Sequence, residues 1–288
     1  MRKKRKYRMG IIAGVLFIAL GIILVFLNIP YSPVKSEFVR DRNRLMQTNF
    51  IHTNENFSDE DFVHMPAPIQ RYINYAGYIG TPKATSMEMK YHNVNFMQSR
   101  EQPTLKIDYT QYNFVKYPDR IAYIDSKLFG IPFEGYDYFS NGIGGMKGTI
   151  GKAITMFHQT GSEMDKACLV TFLAESIFLP NTLLQNYIKF EEIDSNTVKA
   201  TITYQGIAAS GIFTFNGVGE MVLFTSNDRS VANPDGTMNY VKWSAKCSNY
   251  QKNSDGIIQP TAFQAIWNYE AGDFVYFDGD ITSITYDL

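Results

Sequence analysis

Thr85-Ser86-Met87-Glu88-Met89-Lys90-Tyr91 alternates apolar and polar side chains, and Leu105-Lys106-Ile107-Asp108-Tyr109 repeats the pattern. A period of two is the signature of a strand with one buried face, so both segments read as half-buried β-structure. In each the phase then slips, to Val94 and Phe96 in the first and to Tyr112 and Phe114 in the second. A slipped phase inside one strand is what a β-bulge produces, and bulges make a sheet curl. Further strands are expected at 120–125, 133–139, 146–158, 197–204, 207–215, 220–227, 240–250, 257–269 and 273–286. Between them stand turn signals such as Tyr117-Pro118-Asp119, Asn216-Gly217, Pro234-Asp235-Gly236 and Ser254-Asp255-Gly256. Short connections make neighbouring strands antiparallel, giving about ten or eleven strands in a meander.

One helical island interrupts the strands. Ser162 reads as the N-cap of a helix from Glu163 to about Phe178. Its Met164, Ala167, Cys168, Leu169, Phe172, Leu173 and Ile177 cover more than one side. A helix this apolar cannot lie in water, and its simplest burial is the concave side of the curled sheet. A second, shorter helix carries Ile69, Tyr72, Ile73 and Ala76 on one face and closes at Gly77. The fold class is therefore mainly β with α elements: a large curled antiparallel sheet or open barrel with a helix on its concave face.

Ahead of this body, Arg2, Lys3, Lys4, Arg5, Lys6 and Arg8 precede an uncharged apolar run from Met9 to about Leu27. At about 1.5 Å of rise per residue that run covers nearly the whole of a ~30 Å hydrocarbon core. Basic residues stay on the cytoplasmic side, so the N-terminus is expected inside and the remainder outside the cytoplasmic membrane. The competing reading, a cleaved signal, needs small residues at a cut site. Phe26-Leu27-Asn28-Ile29-Pro30-Tyr31-Ser32-Pro33 offers no such pattern, and a retained single-span anchor is favoured. The expected organisation is a cytoplasmic basic head at 1–8, a transmembrane anchor at 9–28, a juxtamembrane helix and linker at 29–60, and an extracytoplasmic β-rich domain at 61–288. Within the third segment, Ser32 and Pro33 start a charged helix to about Gln47 that lifts the body off the bilayer.

The 27 Lys and Arg, less the six in the head, leave 21 against 28 Asp and Glu, a net −7 for the rest. A body of that sign carries no electrostatic footprint for nucleic acid. Two cysteines, Cys168 and Cys247, are too few for a disulfide scaffold; they are either bridged or small buried apolar residues. The four histidines are scattered, with no metal-ligand spacing, and no nucleophile elbow, phosphate loop or other cofactor motif occurs; neither a metal nor a cofactor is expected.

The remaining chemistry lies in a few side chains. Glu175 stands in the apolar helix, so burial demands a partner, and Arg229 is the candidate. Glu175 is read either as a polar anchor or general acid in a cavity, or structurally, as half of an ion pair fixing helix to sheet or simply a carboxylate at the exposed helix end near Pro180; the structural reading is favoured. Asp137 is the other carboxylate in play. Val241, Trp243, Ala245 and Cys247 share one strand face, and Phe263, Ala265, Trp267 and Tyr269 share the next. Most of these are core. A sheet this wide curls around more space than one helix fills, so Trp243 and Trp267, with Phe172 of the helix, are candidate walls of an apolar pocket beside Glu175, Arg229 and Asp137.

Pro66-Ala67-Pro68-Ile69-Gln70-Arg71-Tyr72 with Gly77, Asp137 with Gly142-Ile143-Gly144-Gly145-Met146, Leu173-Ala174-Glu175 with Pro180, Arg229, and Gly256 with Pro260 and Trp267 occur in this order. Taken together they resemble a bacterial family of unknown function, often placed behind one membrane span. The resemblance covers most of 60–285 and implies no catalytic residue. In architecture the chain is also similar to the bacterial lipoprotein-carrier fold, an open barrel that shields acyl chains. The expected function is a membrane-anchored extracytoplasmic binding module for a lipid or other apolar ligand. The alternatives are a structural or signalling partner of another envelope protein and a carboxylate-based envelope hydrolase using Glu175 or Asp137; an enzyme is the least favoured.

Overall fold

The computed structural model describes residues 2–50, 54–232 and 237–287; the turn signal Pro234-Asp235-Gly236 lies outside them. Helix α1 (Arg2–Asn28) contains the apolar run; residues 7–25 are exposed, and Phe26 and Leu27 are half-buried. Among the described residues four α-helices follow in the body: α2 (Pro33–Thr48), α3 (Asp59–Phe62), α4 (Ala67–Ala76) and α5 (Ser162–Glu175). The first meander is β1 (Ser86–Phe96), β2 (Leu105–Phe114), β3 (Arg120–Leu128), β4 (Ile131–Ser140), β5 (Ile143–Ile150) and β6 (Ile154–Gln159). After α5 come β7 (Ile188–Glu192), β8 (Thr197–Tyr204), β9 (Ile207–Phe215), β10 (Met221–Ser226), the short β11 (Ser230–Ala232) and β12 (Met238–Tyr240), then β13 (Trp243–Lys252), β14 (Ile258–Tyr269) and β15 (Gly272–Asp287).

Thirteen of these strands form one antiparallel sheet in the order β6-β5-β4-β3-β2-β1-β15-β14-β13-β10-β9-β8-β7, and β11 with β12 makes a separate ribbon. The sheet is two meanders joined where the first strand pairs with the last, which corrects the expected count and the single meander. The span 146–158 takes the form of a hairpin of β5 and β6, 240–250 is divided between β12 and β13, and β7 lies where no strand was expected.

Curling shows in what α5 touches. The helix packs on β4 and β5 from one flank and on β8 and β9 from the other, strands far apart in the sheet order. The two flanks meet at their turns, where Gln205 reaches Asn141 at 3.4 Å. The bulge expected in β1 is present: register slips between Tyr91 and Val94, and Asn93 takes a left-handed φ of 57°. The second phase slip has another cause. β2 pairs with β3 without interruption, and Tyr112 and Phe114 are apolar because they face a second core on the convex side.

That second core is the seat of α2. Val34, Phe38 and Leu45 pack on Tyr112, Phe114, Ile121, Tyr123 and Tyr136. Ser32 caps the helix, accepting from Lys35 N at 3.1 Å, and donates to the buried Glu134 at 2.7 Å. The helix therefore lies along the sheet instead of lifting the body away, and only Ile29-Pro30-Tyr31 separates α1 from this mount.

The main core fills the concave side, where α5 is buried from Ala167 onward, as its lack of a polar face requires. Its N-cap is Gly161, and the Ser162 hydroxyl donates to Glu163 rather than capping. Cys168 and Cys247 are both free and buried.

Candidate functional site

Between α5 and the concave face of the sheet lies a cavity of about 110 Å³, lined by side chains from β1–β5, β13–β15, α5 and the segment after β10. Its depth is aromatic. Tyr91, Tyr109, Phe263 and Phe277 meet edge to face, with Tyr91 and Phe277 ring centres 5.2 Å apart. The partly exposed side chains Phe96, Met146, Tyr276, Arg229 and Asp137 mark its mouth.

One wall is ionic. Arg120 opens β3, and strand parity aims it inward with Ala122 and Ile124, while Ile121 and Tyr123 face α2. Its Nε donates to Glu175 Oε2 at 2.7 Å and its Nη2 to Glu175 Oε1 at 3.0 Å, the two-point grip that the guanidinium fork favours. Nη1 donates to Asp137 at 2.7 Å and Nη2 also to the Tyr109 hydroxyl at 2.6 Å. Asn113 adds a bond to Glu175 at 2.9 Å and is itself held by Gln111 at 3.1 Å. Burial opposes charge on Arg120, and Glu175, Tyr109 and Asp137 outweigh it, holding the guanidinium pKa well above its ordinary value. Burial, then Asp137, pushes the nearby Cys168 thiol up, away from the thiolate a nucleophile needs.

Arg229 stands apart from this network. The partner of Glu175 is Arg120, which corrects the expected pairing with Arg229. The Arg229 guanidinium lies over Trp243 at 4.5 Å and near Trp267 at 5.5 Å, and its Nη1 donates to Thr171 of α5 at 2.6 Å. Its Nε is buried with no hydrogen-bond partner, and no carboxylate pairs with it among the described residues.

Of the six side chains singled out from the sequence, Glu175, Asp137, Arg229 and Trp243 line the cavity together. Trp267 stands one layer back, stacked on Tyr276 at 5.7 Å and paired across the strands with Trp243. Phe172 faces elsewhere, fully buried against Tyr187. Sequence reasoning missed Arg120, Tyr109, Gln111 and Asn113. Their signal was available: Arg120 shares a parity with Ala122 and Ile124, and a charge on the inner parity of a strand is a buried charge.

The pattern of a family of unknown function, DUF6544, matches residues 55–279. The chain belongs to the DUF6544 family. The match takes in β1 to β14, the first half of β15 and every residue of the cavity, and the family resemblance read from the sequence holds. No curated protein matches the chain. Among solved structures, this DUF6544 protein is similar to a Vibrio parahaemolyticus domain provisionally described as an outer membrane lipoprotein-sorting protein domain. Identity is 11%, the match covers 70% of this chain and 83% of that one, and the TM-score is 0.36. It is also similar to a DUF1329 family protein from Desulfovibrio piger, at 11% identity over 77% of this chain and 92% of that one, with a TM-score of 0.34.

Proposed function

We propose that this DUF6544 protein is a membrane-anchored, extracytoplasmic module that binds an amphiphile with an anionic head and an apolar tail. On this reading the basic head at 1–8 lies on the cytoplasmic side, the 9–28 part of α1 spans the bilayer, and the β-rich body holds the ligand outside. The observation that carries the reading is Arg229: a cation stacked on tryptophan at a cavity mouth, its Nε buried and free to donate. A buried donor left unpaired costs about 1–3 kcal/mol, so a carboxylate or phosphate oxygen arriving there gains both charge pairing and a missing hydrogen bond. Behind it the aromatic pit suits the end of an alkyl chain. An apolar cavity of about 150 Å³ accepts benzene, so the 110 Å³ here receives a tail terminus or a few carbons next to the head, not a whole lipid.

The hydrolase alternative draws on Glu175 and Asp137, yet both are held by Arg120, and Glu175 accepts three hydrogen bonds. Such a carboxylate fixes α5 to β3.

Delipidated full-length protein, titrated with dansylundecanoate, is expected to show saturable binding that Arg229→Ala weakens at least about tenfold, the equivalent of about 1.4 kcal/mol. Arg229→Lys restores part of it, and undecanol competes equally well in both proteins. Trp267→Ala weakens binding beyond its effect on stability, because it removes one side of the Arg229 stack. No saturable binding of fatty acid or lysophosphatidylglycerol sinks the proposal.

A further inference from the structure

We infer that the β3–β4 hairpin tip is a second membrane contact, with Phe129 inserted in the leaflet into which α1 emerges. The inference rests on α1 spanning the bilayer. The turn joining β3 to β4 is Phe129-Gly130, with φ of 51° and 81°. Two successive positive φ angles define the turn that two-residue hairpins favour, and Asn-Gly or Asp-Gly normally fills it. A bulky aromatic in the left-handed region is strained, and nothing in the fold rewards it, because Phe129 is 92% exposed. Ile131 and Ile154 nearby are exposed as well.

The position of α1 supplies the occupant. Leu24 and Leu27, the last apolar turn of α1, line one crevice of about 580 Å³ with Phe129, Ile131, Lys35, Lys127 and Lys152. Lys152 Nζ donates to the Ile29 carbonyl at 2.6 Å, and Ser32 is bonded to Glu134, so the helix exit is fixed to these strands at two points. A bilayer that covers Leu24 therefore reaches Phe129. Lys35 and Lys127 are exposed here, where long cationic side chains extend to headgroup phosphates. The far end of β3 is a strand's length away, about 30 Å at 3.3 Å per residue, and there Tyr117 N donates to Asn49 at the other end of α2.

The test uses the full chain in nanodiscs of dioleoylphosphatidylcholine and dioleoylphosphatidylglycerol. A nitrobenzoxadiazole label is placed at Phe129→Cys, Tyr117→Cys or Val15→Cys; the native cysteines are buried and do not compete. With lipids brominated on the acyl chain, the labels at 129 and 15 are quenched several-fold more than the label at 117. Quenching at 15 alone overturns the hairpin contact and leaves the span standing; no quenching at 15 overturns both. A separate arm measures Phe129→Asn in detergent, which keeps or raises the melting temperature because Asn suits the turn. A lowered melting temperature means that Phe129 serves the fold, and the inference fails.

Discussion

Helix α5 inside the sheet buries all of its apolar side chains and helix α2 outside it only Val34, Phe38 and Leu45, and the two are fastened by opposite chemistry. On the concave side the Arg120 guanidinium and the Glu175 carboxylate are taken out of water and need each other, with the half-buried Asp137 bonded to Arg120 at the cavity mouth. On the convex side, neutral tyrosine hydroxyls donate to carboxylates: Tyr136 to the half-buried Asp41 at 2.9 Å, Tyr112 to the half-buried Glu88, and Tyr123 to the buried Glu134 at 2.6 Å. The difference is one of forgiveness. A phenol that loses its partner near the surface finds water, whereas a buried ion that loses its partner finds nothing.

The sharpest way to break the comparison is Arg120→Ala. It strands Glu175 and Asp137 and is expected to cost about 3–5 kcal/mol in denaturant titration; a loss below 1 kcal/mol would show that water reaches this wall. Next comes Phe38→Ala, which empties the centre of the convex core among Tyr112, Tyr123 and Tyr136 at 5.6–6.2 Å. A loss of about 3 kcal/mol is expected, smaller than for Arg120 because no charge is exposed to an apolar medium. Ser32→Ala removes both a cap and a bond to Glu134, and about 1–2 kcal/mol should disappear.

The smallest effect is confined to alkaline solution. Burial and then Glu88 push the Tyr112 hydroxyl up to about 12 from its ordinary 10.0. Tyr123 and Tyr136 beside it are raised further, burial again leading. The folded pKa exceeds the unfolded one, so the contribution is complete below pH 10 and is lost as pH rises through the folded value. Stability should stay level to about pH 9 and fall beyond 10, with tyrosinate absorbance at these positions arriving together with unfolding. Smooth titration of every tyrosine near 10 in the native state contradicts that account.

Much of the concave side was legible in the sequence. Alternation from Thr85 to Tyr91 gave the strand and its bulge, and the absence of a polar face on 164–177 placed α5 inside. The rows Trp243, Ala245, Cys247 and Phe263, Ala265, Trp267 do meet across the strands. What escaped was whatever depends on a strand having two buried faces. Tyr112 and Phe114 resembled a slipped phase because α2 was read as a spacer, and a charged helix gives little notice that three of its side chains find a seat. Arg120 escaped because it follows a turn, where a charge usually means solvent, while the partner of Glu175 was sought after β10. Pairing between strands remote in sequence is set by tertiary assembly, so the join of β1 to β15 had no local signal.

That join also imposes a timetable. β15, the longest strand at 16 residues, sits in the middle of the sheet between β1 and β14. As the polypeptide is made from its N-terminus, each meander can zip locally, but the seam between them waits for residues 272–287. Closing it spans roughly two hundred residues of intervening chain, a long-range step of the kind that slows folding and leaves open edges exposed meanwhile. Under the topology proposed above, with α1 anchoring an extracytoplasmic body, that last closure takes place after export and beside the lipid surface.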